Sequence, residues 1–301
     1  MKRIVSVSLG SSSRDHKVTA EFCGEQFEIE RRGTDGDAKK AIELIKELDG
    51  KVDAFGMGGI SLYLYGRNNR KYTLKSALPL LKTAQKTPMV DGSGLKNTQE
   101  ANVVRYLKTD LGLPLEKMKV FLVCGMERLG LAETFPEMGC QMVYGDIMFA
   151  LGLPIPIRSI KTLHRAAALL MPVIRMLPLK MLYPSGKSQE EIEPKFIRYY
   201  DEADIIAGDF LYIKKHLPMF IKDKIIVTNT VTAKDVDLLR ERGARMLVTT
   251  TPELGGRSFG TNVMEAVIVA LIGKRPDEIT VEDYQSILKD EAFKPRVVYF
   301  S

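Results

Sequence analysis

The sequence predicts an α/β protein with two domains, an N-terminal α/β substrate domain and a C-terminal domain with a Rossmann-like, doubly wound parallel sheet. Short apolar runs alternate with amphipathic segments along most of the chain, as strands and helices do in α/β proteins. A chain of 301 residues is long enough for more than one core. Residues 118–146 also follow the order of a dinucleotide-binding unit: strand, glycine turn, helix, strand and acid.

The N-terminal domain is predicted to span residues 1–117, and the tail 276–301 is expected to return to it. Its predicted strands are 3–9, 16–22, 26–31 and 52–57, and its predicted helices are 38–48, 74–86 and 100–111. Cys23-Gly24 separates the second and third strands, so these two strands are expected to form a hairpin. Leu113-Pro114 marks the end of the domain.

One basic segment of this domain is a candidate for substrate contacts. Arg67, Arg70 and Lys71 bring three cations into five residues after Gly66. The planar fork of arginine suits a carboxylate, so the segment is typical of a carboxylate clamp. A solvated loop explains the same residues equally well, and both interpretations stay open.

A second candidate is the segment 88–100, which reads PMVDGSGLKNTQE. Its glycines and polar side chains serve core packing poorly and suit a turn that aims polar groups at a ligand. It is also typical of a helix start, with Asn97 or Thr98 as the cap. Lys96 and Asp91 form the best candidate acid/base pair, because a lysine near a carboxylate can be tuned for proton transfer.

The C-terminal domain is predicted to span residues 118–275 and to contain an open, mostly parallel sheet. Its predicted strands are 119–124, 141–144, 203–207, 224–227 and 245–248, and its predicted helices are 131–137, 211–216, 233–242 and 263–272. Ligands bind such sheets beyond the carboxyl ends of the strands. Those ends carry Gly125, Asp146, Asp209, Thr228-Asn229-Thr230 and Thr249-Thr250-Thr251.

The glycine turn after the first of these strands predicts a dinucleotide site. Gly125, Gly130 and the following helix would hold the pyrophosphate, and Asp146 would bind the adenosine ribose. GMERLG matches neither GxGxxG nor a P-loop, so an ordinary strand-turn-helix connection is the alternative. The acid favours NAD over NADP, although Arg128 could reverse this preference. The later strand ends complete the predicted cofactor contacts with Thr228, Asn229, Thr249 and Thr250.

The loop 253–261, ELGGRSFGT, follows the last strand of this sheet. Arg257 and Ser258 lie between glycines, which favours a contact to a phosphate or a carboxylate. Asn262 and Glu265 have the spacing of a capping box, which predicts the start of a helix.

The composition restricts the partners. The net charge of +6 is mild and spread out, so it suits a small anionic substrate and does not imply nucleic acid. Three cysteines without metal-ligand spacing predict no metal and, without a signal peptide, favour the cytoplasm. The apolar stretch 166–183 is interrupted by Arg175 and Lys180, so no membrane span is expected. Its methionines are typical of an adaptable packing surface, such as a lid or a homodimer contact, but a plain core helix is the favoured interpretation.

Two motifs resemble the shikimate and quinate dehydrogenase superfamily. TTTPELGG at 249–256 is similar to that family's strand-end motif near the nicotinamide, and LKNTQE at 95–100 is similar to its Asn-Thr-Asp motif. The whole chain, including VDGSGLKNT and GRSFGTNVMEA, also resembles uncharacterised bacterial proteins labelled quinate 5-dehydrogenase. The resemblance implies a substrate domain, a Rossmann domain and a tail that packs on the first domain. The chain departs from the family at the glycine fingerprint, at Gln99 in the Asp position, and at the lysine motif.

The leading hypothesis is an NAD(P)-dependent oxidoreductase that acts on a small hydroxylated carboxylate, similar to quinate or shikimate. Lys96 would transfer the proton, and Asp91 or Glu100 would set its protonation state. Arg67 and Arg70 would hold the substrate carboxylate. The remaining predicted substrate contacts are Ser93, Asn97, Arg257 and Ser258.

Two alternatives come from other functional classes. The first is a non-catalytic nucleotide- or anion-binding sensor, which the unusual glycine pattern and the missing lysine motif favour. The second is an enzyme for a phosphorylated or acyl substrate that uses no dinucleotide and binds the anion at GGRSFG.

Overall fold

The computed structural model describes residues 1–66, 70–178 and 191–300, and it confirms a two-domain α/β fold with two parallel-rich sheets. The strands are β1 (Lys2–Ser8), β2 (His16–Phe22), β3 (Glu25–Gly33), β4 (Ala54–Gly58), β5 (Tyr63–Gly66), β6 (Arg70–Thr73), β7 (Met89–Val90), β8 (Lys119–Leu122), β9 (Gln141–Tyr144), β10 (Ile205–Ala207), β11 (Ile225–Thr228), β12 (Met246–Thr249), β13 (Glu253–Leu254), β14 (Arg257–Ser258) and β15 (Arg296–Tyr299). The helices are α1 (Ala38–Leu48), α2 (Leu78–Leu81), α3 (Ser93–Thr109), α4 (Leu129–Glu137), α5 (Asp146–Leu151), α6 (Ile160–Ile174), α7 (Ile197–Glu202), α8 (Phe210–Lys215), α9 (Ala233–Glu241), α10 (Thr261–Ile272) and α11 (Val281–Ile287). No helix within these three ranges is long and apolar enough to cross a membrane.

The first sheet has the strand order β2-β3-β1-β4-β7. β3, β1, β4 and β7 are parallel, and β2 forms with β3 the antiparallel hairpin that Cys23-Gly24 predicts. Ser8 at the end of β1 pairs with Gly33 on one side and with Gly58 on the other. The carboxyl ends of the three central strands therefore lie at one level.

The second sheet has the order β15-β12-β11-β10-β8-β9, and only β15 is antiparallel to its neighbour. In chain order, β8 to β12 are arranged 2-1-3-4-5, which is the flavodoxin-like variant of a doubly wound sheet. The strand order reverses between β8 and β10, and ligands in such sheets bind in the crevice at that point. β10, β11 and β12 are buried along their whole length, as expected for strands covered on both faces.

Helix α10 follows the second sheet in sequence but packs on the first. Val263 and Val267 belong to the same buried core as Ile4, Phe27 and Ala54 of the first sheet. Glycine permits this approach, because a Cβ atom at Gly56 would lie 2.9 Å from Asn262 Nδ2 and one at Gly92 would lie 2.7 Å from the Asn262 backbone nitrogen. Helix α10 thus crosses to the first sheet and carries its N-terminal residues into the space between the sheets.

The tail 276–301 divides between the two sheets. Helix α11 contacts α3 and α10, and the Phe293 ring lies 4.9 Å from the Phe22 ring of β2. The final strand, β15, pairs with β12 of the second sheet, so the expectation that the tail strand returns to the first domain is wrong. The domain limits 1–117 and 118–275 stay a prediction.

Three local predictions also differ from the structure. Helix α3 begins at Ser93 with Gly92 as its N-cap, so the predicted ligand turn is helical and neither Asn97 nor Thr98 caps it. The predicted helix 74–86 contains only a 3₁₀ turn and the four-residue α2. The capping box of Asn262 and Glu265 does not form, because both side chains bond to groups outside their own helix turn.

Candidate functional site

A cleft lies between the carboxyl edges of the two sheets, with a cavity volume of ≈ 150 Å³. Its walls come from the ends of β1, β3 and β4 on one side and from the loops after β8, β10 and β11 on the other. The polar and charged side chains that line it are Ser6, Ser8, Arg14, Arg31, Ser61, Asp91, Lys96, Glu127, Arg128, Asp209, Tyr212, Asn229, Thr230, Arg257, Thr261 and Asn262. Drug-sized ligands occupy pockets of about 300–1,000 Å³, so this cleft suits a much smaller molecule.

Three arginines surround one end of the cleft, which we call the arginine end: Arg14, Arg31 and Arg257. Arg31 donates to Asp15 Oδ1 at 2.7 Å and to Ser8 Oγ at 2.9 Å. Arg257 is 7 % exposed and donates through Nη1 to the backbone carbonyl of Arg14. Among the described residues, no group accepts a hydrogen bond from the buried Nε of Arg257.

The arginines of this end repel one another. Burial lowers the pKa of Arg31 to about 10, and the charges of Arg14 and Arg257 act in the same direction. Burial also lowers the pKa of Arg257 to about 10, and Arg14 adds to that effect. An anion between these guanidinium groups would remove the repulsion and accept from donors that are already fixed in place.

The ends of β1 and β4 lie next to the arginines. Asn262 of α10 donates to Ser6 Oγ at 2.9 Å. A Cβ atom at Gly58 would lie 3.1 Å from Ser8 Oγ, and one at Gly59, where φ is +76°, would lie 2.8 Å from the Gly10 nitrogen. The two glycines therefore allow the ends of β1 and β4 to meet closely beside the cleft.

Lys96 and Glu127 form another part of the cleft, which we call the lysine end. Lys96 is 8 % exposed, and its Nζ lies 3.7 Å from Glu127 Oε1. Asp91 also lines the cleft, but its carboxylate accepts from the backbone nitrogens of Leu62 at 2.5 Å and Tyr63 at 3.1 Å. Asp91 thus shares the cleft with Lys96, its predicted acid/base partner, and its carboxylate is bonded to backbone amides.

Arg128 fills the crevice where the strand order of the second sheet reverses. It follows β8 and donates to Glu100 Oε1 at 2.9 Å and to Asp209 Oδ2, after β10, at 2.8 Å. Asn229 donates to the same Asp209 oxygen at 2.9 Å. Burial opposes the positive charge, but Glu100 and Asp209 outweigh it and raise the pKa of Arg128. Arg128 therefore connects α3 with the ends of β8 and β10, where the strand order reverses, and its guanidinium group is bonded to a carboxylate on each side.

The donors predicted for a pyrophosphate are occupied by the protein's own carboxylates. Asp146 accepts from the backbone nitrogens of Gly125 at 2.9 Å and Met126 at 2.8 Å, and Glu100 accepts from that of Leu131 at 3.3 Å. Burial raises the pKa of Asp146 to about 6, and the bonds from the amides oppose that shift. The Asp146 carboxylate therefore holds the glycine turn in place and, in this arrangement, does not point to where a ribose would bind.

Gly130 likewise serves packing between helices. A Cβ atom there would lie 2.6 Å from the Asn97 carbonyl oxygen and 2.7 Å from Glu100 Cβ. The glycine allows α3 to lie against the start of α4, where a pyrophosphate would otherwise approach. In this arrangement the residues at the predicted dinucleotide site do not fit a bound dinucleotide.

The structure separates the predicted site residues into groups. Those that line the cleft are Asp91, Lys96, Arg128, Asn229 and Arg257. Those buried outside its lining are Glu100, Gly125, Gly130, Asp146, Thr228, Thr249, Thr250 and Ser258. Ser93 and Asn97 line a separate groove beside α11. Arg67 lies outside the described residues, and only the backbone of Arg70, in β6, is described.

Two of the threonines at the strand ends, Thr228 and Thr249, bond within the protein, whereas the buried hydroxyl of Thr250 has no partner among the described residues. Thr228 Oγ1 donates to the Gly208 carbonyl at 2.8 Å, and Thr249 Oγ1 donates to the Thr251 carbonyl at 2.6 Å. Ser258 Oγ lies 3.1 Å from Thr249 Oγ1. These hydroxyls hold the ends of β11, β12 and β14 together and do not reach the cleft.

The residues that β1, the following 3₁₀ turn and β3 contribute to the cleft were not predicted from the sequence. Ser6 and Ser8 of β1, Arg14 of the following 3₁₀ turn and Arg31 of β3 all line the cleft. The sequence contained one signal for these residues: the first strand is followed by Gly10 and a run of serines. Ligands bind beyond the carboxyl ends of parallel strands, and this rule applies to the first sheet as well as to the second.

Solved structures share only weak likeness with the chain. A galactofuranose-binding protein is 12 % identical over 99 % of this chain and 95 % of its own, with a TM-score of 0.37. A solute-binding protein of an ABC transporter from Agrobacterium vitis, bound with α-D-tagatopyranose, is 12 % identical over 91 % and 89 %, also at 0.37. An NAD-dependent malic enzyme from Thermotoga maritima is 13 % identical over 82 % of this chain but only 65 % of its own, at 0.32.

Family models match nearly the whole sequence. A domain of unknown function, DUF8753, matches residues 3–91, and a second, DUF8754, matches residues 94–300. No protein of curated function matches the chain. Because the second model spans more than half of the residues, the chain belongs to the DUF8754 family.

Proposed function

We propose that this protein binds a small hydroxylated anion in the cleft between its two sheets. The observation that carries the proposal is the arginine end, where Arg257 holds a buried Nε without an acceptor among the described residues. Arginine forks match carboxylate and phosphate oxygens, and such charge-assisted bonds are strong in a partly dry site. Ser8, Thr230 and Asn262 line the same cleft and can bond to hydroxyl groups of the ligand.

Burial and size both favour this function. A guanidinium group with an unmet donor is costly to bury, and mutual repulsion adds to the cost. A small anion would offset both, and the cavity volume of ≈ 150 Å³ suits a molecule of that size.

The test is calorimetric titration with hydroxy acids and sugar acids, quinate and shikimate among them, because the sequence resembles quinate and shikimate dehydrogenases. Arg257→Gln should weaken the best ligand about 10- to 100-fold, the worth of one charge-assisted bond. The matched control is Arg198→Gln, which removes the same charge from a side chain that is 78 % exposed and bonded to Glu202. Equal weakening in both variants, or no binding by any acid, would refute the proposal.

A second candidate is an NAD(P)-dependent oxidoreductase acting on such an acid, with NAD slightly preferred over NADP. One observation favours it: Lys96, the predicted proton-transfer residue, lines the same cleft as Arg257. With this candidate we also propose that the chain is related to the shikimate and quinate dehydrogenase superfamily, on the motifs at 249–256 and 95–100. The cofactor would require Asp146 and Glu100 to release the amides that they now occupy.

Thermal-shift titration with NAD, NADH, NADP and NADPH separates the two candidates. A ligand at 100 times its dissociation constant stabilises a protein by about 2.7 kcal/mol, which is readily seen. The anion-binding function predicts no shift with any of the four and a shift with the acid alone. A shift with one dinucleotide that Asp146→Asn changes would instead favour the oxidoreductase.

A further inference from the structure

The lysine end contains a cation whose bonding is incomplete. Lys96 is 8 % exposed, and the nearest carboxylate oxygen, that of Glu127, is 3.7 Å from its Nζ, beyond hydrogen-bond distance. The ammonium lies in the lining of the cleft, with Glu127 as its ion-pair partner. An ammonium carries three donors, and an ion pair at 3.7 Å leaves those donors available to a closer acceptor in the cleft.

The other carboxylates near Lys96 are bonded to other groups. Asp91 is bonded to backbone amides, and Asp209 is shared between Arg128 and Asn229. Glu100 is bonded to Arg128 and to the Leu131 nitrogen. Glu127 is therefore the carboxylate left to pair with Lys96, and at 3.7 Å it is too far for a hydrogen bond. An anion from outside the chain would give the ammonium a closer acceptor.

The position of Lys96 is fixed by the fold. Gly92, with φ of +89°, starts α3 at Ser93 and places position 96 in the first turn of a 17-residue helix. Helix α10 packs on α3 and also carries Thr261 and Asn262 into the cleft. The lysine end is thus held by α3, and the first residues of α10, which packs on α3, line the same cleft.

We propose that the ligand carries two anionic groups, one bound at the arginine end and one bound by Lys96. Its class is a small hydroxylated dianion, either a dicarboxylate or a phosphorylated hydroxy acid. The inference rests on the proposed function, because the arginine end must bind an anion first. It adds that Lys96 determines which anions are retained.

Four probes of related structure test this inference by calorimetry. Glycerate offers one carboxylate, glycerol 3-phosphate one phosphate, tartrate two carboxylates, and 3-phosphoglycerate one of each. Tartrate or 3-phosphoglycerate should bind at least about 10-fold more tightly than both one-group probes, since the second charge-assisted bond adds to the first. Which of the two binds better identifies the groups.

The variant Lys96→Gln should weaken the two-group probes about 10- to 100-fold and change the one-group probes less than about twofold. Lys108→Gln is the matched control, because Lys108 lies on the same helix and its Nζ is also 3.7 Å from a carboxylate, that of Glu116, but its side chain is 45 % exposed. It should leave all four affinities unchanged. Thermal unfolding of the ligand-free variants shows whether each is folded.

The outcomes distinguish this inference from the proposed function. If one-group probes bind, depend on Arg257, and gain nothing from a second group, the inference is wrong and the proposed function stands. If Lys96→Gln weakens all four probes equally, Lys96 does not select a second group. If no probe binds, the proposed function fails and the inference fails with it.

Discussion

The glycine loop of the second sheet and the strand ends of the first sheet occupy equivalent positions, at the carboxyl edge of a parallel sheet. In the glycine loop, the amides of Gly125 and Met126 bond to Asp146, and that of Leu131 bonds to Glu100. At the first sheet, Arg257 retains a buried donor without an acceptor among the described residues, and Arg31 lies beside it. A glycine loop between strand and helix thus indicates where donors converge, and the surrounding carboxylates determine whether a ligand can use them.

Removing one of the internal carboxylates is expected to have the largest effect. Glu100→Ala should lower the free energy of unfolding by about 3–5 kcal/mol, because it leaves the Arg128 guanidinium buried with part of its bonding lost. Urea unfolding measures this loss. Glu116→Ala breaks the exposed pair with Lys108 and should cost only about 0–1 kcal/mol. Equal losses in the two variants would show that Glu100 does not hold the glycine loop closed.

A smaller change in the free energy of unfolding is expected from the titration of Glu265, whose carboxylate bonds to the N-cap of α3. Glu265 accepts from the Gly92 nitrogen at 2.6 Å and from the Tyr284 hydroxyl at 2.8 Å. Burial, and then the charge of Asp91, raise its pKa to about 7, above the ordinary value of 4.5. Between these values the folded protein binds a proton that the unfolded chain lacks, so stability should fall as pH rises from about 4.5 to 7.

The size of that change is on the order of 3 kcal/mol, and Glu265→Gln should remove most of it. Urea unfolding at pH 5 and at pH 8 gives the change in the free energy of unfolding for the wild-type protein and for Glu265→Gln. Asp146 also has a raised pKa, of about 6. The free energy of unfolding of Glu265→Gln should therefore still fall with pH, but less steeply and only below about pH 6. An unchanged difference between pH 5 and pH 8 in Glu265→Gln would contradict this account.

The sequence predicted the strands and helices of the second sheet to within about two residues, because apolar runs and glycine stops define them locally. It could not predict that α3 starts at Ser93, since that start depends on Gly92 fitting against Asn262 of a distant helix. It also could not place the tail strand, because β15 joins an edge that only the folded sheet presents.

The candidate site was harder to predict than the fold. Arg257 and Lys96 were singled out by their polar surroundings in sequence, and both line the cleft. Arg14 and Arg31 were not, because they meet Arg257 only after β1 pairs with β3 and Arg257 of β14 bonds to the Arg14 carbonyl. The glycine turn was assigned to a cofactor because its sequence does not show that Asp146 bonds back to it.

The crossing of α10 has a consequence for how this chain can be divided. The two family matches meet between residues 91 and 94, which suggests a natural place to separate the protein into fragments. Yet Val263 and Val267 cover Ile4, Phe27 and Ala54, so a fragment that ends at residue 91 would expose the apolar face of its own sheet. The C-terminal fragment would in turn display an uncovered helix. The two segments are therefore expected to fold stably only when they are expressed together, and exchanging either one alone would require a matching α10.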